Sequence, residues 1–173
     1  MQAQSALTLH APVSLLEKTP AILEIFLRDL PADLVQWKPA PDRWSIREVL
    51  AHLVVIEQLY ESRARRIVME DNPALIKYVA TGESEVRKKS ADEHLEQLVT
   101  MRRAFVFYLH SVPSASGSRI GQHPALGQIN LSQMLHELAN HDLGHLRQMA
   151  EIYRGYAFYP HVGPFQRYSR PQP

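Results

Sequence analysis

The chain contains no cysteine. That excludes disulfides, thiolate metal ligands and a cysteine nucleophile, so any metal site must be built from His, Asp, Glu or water. A reducing compartment suits such a chain without being required by it. Charge of one sign is also lacking: 19 Lys and Arg stand against 18 Asp and Glu, for a net charge of +1. Little long-range attraction for nucleic acid or anionic lipid follows. No stretch is apolar for the length of a membrane span, and MQAQSALTLH at the start has no basic segment followed by an apolar core. The expectation is a cytoplasmic protein with neither a nucleic-acid nor a membrane partner. Internal repeats, low-complexity tracts and dependable strand runs are absent as well. At 173 residues, 45% hydrophobic and 21% charged, the chain suits a single domain over 1–173 with a continuous core.

What is present is helical periodicity. Pro12 opens a pattern over 13–30 in which Val13, Leu16, Thr19, Ile22, Leu23, Phe26 and Leu30 recur near a 3.6-residue period. Pro20 inside it predicts a kink, or a helix that begins only near Thr19. Pro31 to Arg43, with Pro39, Pro41 and Trp37, reads as an ordered non-helical connection whose tryptophan covers one end of the core. A second helix over 45–70 starts with a capping box, Ser45 and Glu48, flanked by Trp44 and Val49 at staple positions. Val49, His52, Ile56 and Leu59 form its inward stripe, widened by Leu50, Leu53 and Tyr60. Arg63, Arg65 and Arg66 read as a solvated face, and Asp71, Asn72 and Pro73 as the stop. Pro73 to Lys89 reads as a long loop holding one or two helical turns. A third helix over 90–111 repeats the capping box with Ser90 and Glu93 and carries Leu95, Leu98, Met101, Phe105 and Leu109. Arg119 to Gln128 holds too many breakers for regular structure. The fourth helix, 131–154, is capped by Asn130 with Gln133 three residues on, and Gly155 stands at the C-cap. Beyond it the tail has the composition of a strap.

The fourth helix carries the chemistry. Met134, Leu138, His141, His145, Gln148 and Ile152 form one inward seam, so two imidazoles sit where a bundle wants leucine. Side chains four apart on a helix reach one point, as two ligands of a single metal must. An isolated HxxxH pair also fits two core histidines bonded to their neighbours. His52, however, is a third histidine in an inward seam. Four helices and no sheet give an all-α four-helix bundle. If the second and fourth helices are neighbours, His52, His141 and His145 can make a three-histidine site with a coordination position left open, which is catalytic in type. Neutral imidazoles suit Zn, Ni, Fe or Co, and geometry more than affinity chooses among them. The expected cofactor is one divalent ion, Zn or Ni first, with Fe, Co or Mn as alternatives.

RWSIREVLAHLVVIE, Arg43 to Glu57, and HELANHDLGHLRQM, His136 to Met149, behind a proline-rich lead, give the chain its resemblance to the DinB/YfiT-like superfamily, in order and spacing over essentially its whole length. The resemblance implies an up-down-down-up bundle and a homodimer. It also implies a divalent metal held by one histidine of the second helix and two of the fourth, here His52, His141 and His145. Relatives of this kind include S-transferases and an isomerase dependent on low-molecular-weight thiols, and proteins described as metal-dependent hydrolases. An open metal site serves both chemistries by activating water or a thiol cosubstrate for attack on a small electrophile. The expected partner is therefore a small-molecule substrate.

Other polar residues are less determined by spacing. Gln148 lies on the seam one turn past His145, placed either to orient a ligand or to cap the seam. Asp142 is about 100° around the helix from His141 and reads as a second-layer acceptor or salt-bridge partner. Glu57 and Glu137 are candidate general bases, and each also fits a solvated helix position. His136, His10, His94, His110, His123 and His161 read as non-ligands. The competing function is a non-catalytic bundle, metal-stabilised or metal-free, that acts as a binding or scaffold dimer. It is motivated by the lack of an assignable base or nucleophile.

Overall fold

Four long helices dominate the computed structural model of the chain, which describes residues 9–80 and 88–170. They are α1 (His10–Leu27), α3 (Ile46–Met69), α4 (Ala91–Ser111) and α5 (Leu131–Tyr153), with a short α2 (Ala32–Gln36) in the first connection and a two-stranded antiparallel hairpin, β1 (Ile120–His123) and β2 (Gly127–Asn130), before α5. No helix among the described residues is long and apolar enough to cross a membrane.

Each capping box forms. Ser45 Oγ accepts from the Glu48 N–H at 3.3 Å while the Glu48 carboxylate accepts from the Ser45 N–H at 2.7 Å. Ser90 with Glu93, and Asn130 with Gln133, repeat the exchange. Backbone donors that the first turn would leave orphaned are thereby satisfied.

Two apolar clusters fix the topology. At one end the start of α1 (Leu9, Val13, Leu16) meets the end of α3 (Ala64, Ile67), the end of α4 (Phe105, Leu109) and the start of α5 (Leu131, Leu135). At the other, Leu23 of α1 meets Ile46 to Val54 of α3, Leu98 of α4, and Met149 and Ile152 of α5. Helices α1 and α5 therefore run one way and α3 and α4 the other, an up-down-down-up bundle. α1 packs against α4 and α5, as does α3.

Between the clusters lies a charged belt. Arg102 of α4 is buried and reaches Glu57 of α3, with Nε donating at 2.8 and 2.9 Å, and Asp142 of α5, with Nη1 donating at 2.5 Å. Burial opposes the charge on Arg102, but the two carboxylates outweigh it and hold the guanidinium above its ordinary pKa.

Several local expectations are corrected. α1 runs unbroken through Pro20, because Leu16 and Leu23 on either side are fully buried and packing holds the helix across the lost hydrogen bond. Ile22, read as inward, is 41% exposed. The Pro31–Arg43 connection contains a helix, α2. The breaker-rich Arg119–Gln128 segment forms β1 and the turn into β2: Gly127 adopts φ 73°, and His123 Nδ1 accepts from the N–H groups of Ala125 and Leu126. Gly121 is needed for close approach, since a Cβ there would stand 3.0 Å from the Ile67 and Leu75 side chains.

No helical turn forms over residues 74–80. Ala74 instead bridges Gln122 of β1, and Leu75 N–H donates to the Gln122 carbonyl at 2.8 Å. The Thr81–Gly82 part of that expectation lies outside the described residues. Arg63 is not solvated: it is buried and donates to the Ile76 carbonyl at 2.5 and 3.0 Å, holding the segment against the bundle. Gly155 is no left-handed cap. The chain continues from Tyr153 into a π turn, Arg154–Phe158, and a Cβ on Gly155 would lie 3.4 Å from the Trp37 ring. Tyr156 there hydrogen-bonds Asp33 of α2 and meets Trp37 edge-on at 5.6 Å, so the tail and the first connection close over one end of the core together.

Candidate metal centre

His141 and His145 stand on adjacent turns of α5, and His52 faces them from the antiparallel α3. Their Nε2 atoms converge: His52 to His141 is 3.1 Å and His145 to His141 is 3.2 Å. The three ligand atoms lie within 4.8 Å of one another, the one such grouping of three His, Asp or Glu side chains among the described residues. Nitrogens bound at 2.0–2.1 Å to one tetrahedral ion stand roughly 3.3 Å apart, so the spacing is close to that of a coordinated set.

Second nitrogens orient the rings. His145 Nδ1 donates to Gln148 Oε1 at 2.8 Å, which leaves its Nε2 as a bare lone pair aimed at the common point. His52 Nδ1 lies 3.2 Å from the Tyr78 hydroxyl, while His141 Nδ1 is buried without a partner. Trp44 packs against both outer rings, nearly parallel to His145 (14°, centroids 6.0 Å) and tilted against His52 at 4.9 Å.

Burial pushes the His52 pKa down to about 4, reinforced by His145 and His141, and pushes His141 down to about 4, reinforced chiefly by His145. His145 is lowered by burial too, against the opposing pull of the Gln148 hydrogen bond and Asp142. All three rings are therefore neutral at pH 7. Facing lone pairs repel unless a cation or a shared proton lies between them, and neutral imidazoles are what a divalent metal requires. The residues fit such an ion.

The remaining candidates separate. Gln148 orients His145. Asp142 turns away into the belt and pairs with Arg102. Glu57 is neither solvated nor placed as a base: it is fully buried against Arg102, its pKa raised by burial against the guanidinium's opposing pull. Glu137 is exposed on the wall of a groove of about 1090 Å³ that opens on His141 and His145. His136 hydrogen-bonds back to Ser132, His110 lies near Glu17, and His123 braces the hairpin turn. Like them, His10, His94 and His161 stand outside the cluster.

Sequence reasoning missed Tyr78, Trp44 as a ring partner, and Arg102. The last was detectable: its position between Leu98 and Phe105 puts a guanidinium on the buried face of α4, as Glu57 is on α3. Nothing in the 74–80 segment marks Tyr78.

The comparisons agree with this architecture. The sequence profile of the DinB superfamily matches residues 15–149. YuaE of Bacillus subtilis strain 168 is 27% identical over 144 residues, 73% of this chain and 87% of its own. YfiT from Bacillus subtilis, described as a probable metal-dependent hydrolase with an unusual four-helix bundle topology, superposes with a TM-score of 0.75 at 19% identity, over 83% of this chain and 84% of its own. A DinB-like protein from Bacillus cereus ATCC 10987 gives 0.59, also at 19% identity, over 87% and 93%.

Proposed function

This chain belongs to the DinB superfamily, and we propose that it is a metal-dependent enzyme in which His52, His141 and His145 hold one divalent ion, Zn or Ni first. The convergence of three neutral Nε2 atoms at 3.1 and 3.2 Å carries the reading. Among the described residues no fourth His, Asp or Glu joins the cluster, so the ion would keep a position for solvent or substrate, unlike a closed structural site. Such an ion supplies a Lewis acid that lowers the pKa of a water or low-molecular-weight thiol. The reaction is then hydrolysis of, or S-transfer to, a small electrophile. The description of YfiT as a probable metal-dependent hydrolase supports the first form.

The chain's own residues take defined parts. Gln148 fixes the His145 tautomer, and Tyr78 is placed to do the same for His52. Trp44 shields both rings from water. Glu137, exposed on the groove one turn before His141, is the residue to accept the nucleophile's proton. A second copy of the chain completes the reading as a homodimer, supported by apolar side chains left exposed on the paired helices α1 and α4: Ile25 at 69% and Phe107 at 81%.

Turnover by metal-loaded and chelated protein tests this. Activated esters should be hydrolysed, or a thiol transferred to a thiol-reactive electrophile, only with metal bound, and Glu137→Gln should lower kcat more than KM. Equal rates with and without metal would count against the proposal.

A further inference from the structure

The groove beside the histidines is unevenly charged. Arg43 from the segment before α3, Arg147 from α5 and Arg170 from the tail all line it, and all are exposed. None of the three takes part in an ion pair among the described residues. Several arginines elsewhere are engaged: Arg63 and Arg119 cap carbonyls, Arg65 and Arg66 pair with glutamates, and Arg102 sits in the belt. Of the groove's two carboxylates, Glu151 is paired with Arg154 at 2.5 Å, which leaves Glu137 alone against three cations. Three separate parts of the chain thus deliver cations to one concavity. Gly144 leaves the groove unobstructed where it lines it, since a Cβ there would meet nothing within 4 Å, and Trp44, 39% exposed, offers a flat apolar wall.

We propose that this groove is an oxyanion subsite: it takes a small molecule with a carboxylate or phosphate head on Arg43, Arg147 and Arg170 and a flat apolar body along Trp44, its reacting end toward His141 and His145. The inference rests on the metal-enzyme reading for the reacting end only, because the arginines act without the ion. Guanidinium forks match carboxylate and phosphate oxygens bidentately, and a planar ring stacks on indole. About 1090 Å³ exceeds one small ring, leaving room for a thiol cosubstrate beside the substrate.

Titration calorimetry with benzoate, phenyl phosphate and neutral benzamide tests it on zinc-loaded protein, on His141→Ala, and on an Arg43→Ala/Arg147→Ala variant whose folding is checked by circular dichroism. Charged hydrogen bonds are worth about tenfold in affinity each. One or both anions should therefore bind better than benzamide, lose about tenfold or more in the arginine variant, and weaken with salt, while zinc content in that variant stays unchanged. Preference for benzoate or phenyl phosphate identifies the head group. Retention of anion binding by His141→Ala would separate this subsite from the metal: the subsite stands even if the metal reading fails. Equal binding of benzamide and both anions, or anion binding lost in His141→Ala but intact in the arginine variant, would overturn it.

Discussion

Arg102 Nη1 donates to Asp142 Oδ2 at 2.5 Å, and Asp142 directly follows His141. The buried belt and the histidine cluster are thereby joined through one residue step of α5, with Glu57 holding the other side of the same guanidinium at 2.7 Å. Breaking a buried pair by removing one partner leaves an uncompensated charge and costs about 3–5 kcal/mol. Arg102→Met should lower stability by that amount in urea unfolding, whereas the triple change Arg102→Met, Glu57→Leu, Asp142→Leu should recover much of it. Failure of the triple variant to exceed Arg102→Met in stability would contradict the account of the belt.

Gln148 should matter to metal rather than to folding. Its oxygen fixes the His145 proton on Nδ1, and loss of such a partner weakens metal affinity about 10–100-fold. Gln148→Leu should show that loss in competition with a chelating dye while the denaturation midpoint of the metal-free protein moves little. Gln148→Glu, which restores an acceptor, should bind metal better than the leucine variant.

The metal-free protein should be acid-sensitive in a defined window. His52 and His141 fall from 6.5 to about 4 on folding, so below pH 6.5 the unfolded chain binds more protons than the folded one. The stability this contributes is full above pH 6.5 and is lost as pH falls toward 4. Urea midpoints from pH 7.5 to 4 should trace the loss, and His52→Ala should flatten it. A midpoint that rises over the same interval would reverse the sign and refute the assignment.

Self-association should run through the outer faces of α1 and α4. Phe107 is 81% exposed, and Phe107→Glu should halve the mass seen by light scattering without changing helicity. Monomeric wild type would remove the homodimer.

Much of the bundle was legible because its signals are local and periodic. Ser45 with Glu48, Ser90 with Glu93 and Asn130 with Gln133 announce three helix starts by side-chain chemistry that needs no tertiary context. His52, His141 and His145 were legible for the opposite reason, as polar residues where the apolar period required leucine. What escaped depends on distant partners. The hairpin has four-residue strands, too short for a period, and exists because Gly121 lets it press on Ile67 and Leu75. Glu57 read as a candidate base or a solvated helix residue because its own helix does not reveal the arginine of another helix that neutralises it. Tyr78 reaches His52 from a segment that Arg63 and Arg66 hold by the carbonyls of residues 76 and 74 and that Gln122 of β1 holds by its backbone.

The most direct test is elemental analysis of protein purified without an affinity tag or chelator, comparing wild type with His52→Ala, His141→Ala and His136→Ala. Near one metal per chain in wild type and His136→Ala, lost in the other two, is the predicted result. Metal-free wild type that also fails to take up Zn or Ni, or equal loss in His136→Ala, would contradict the three-histidine centre.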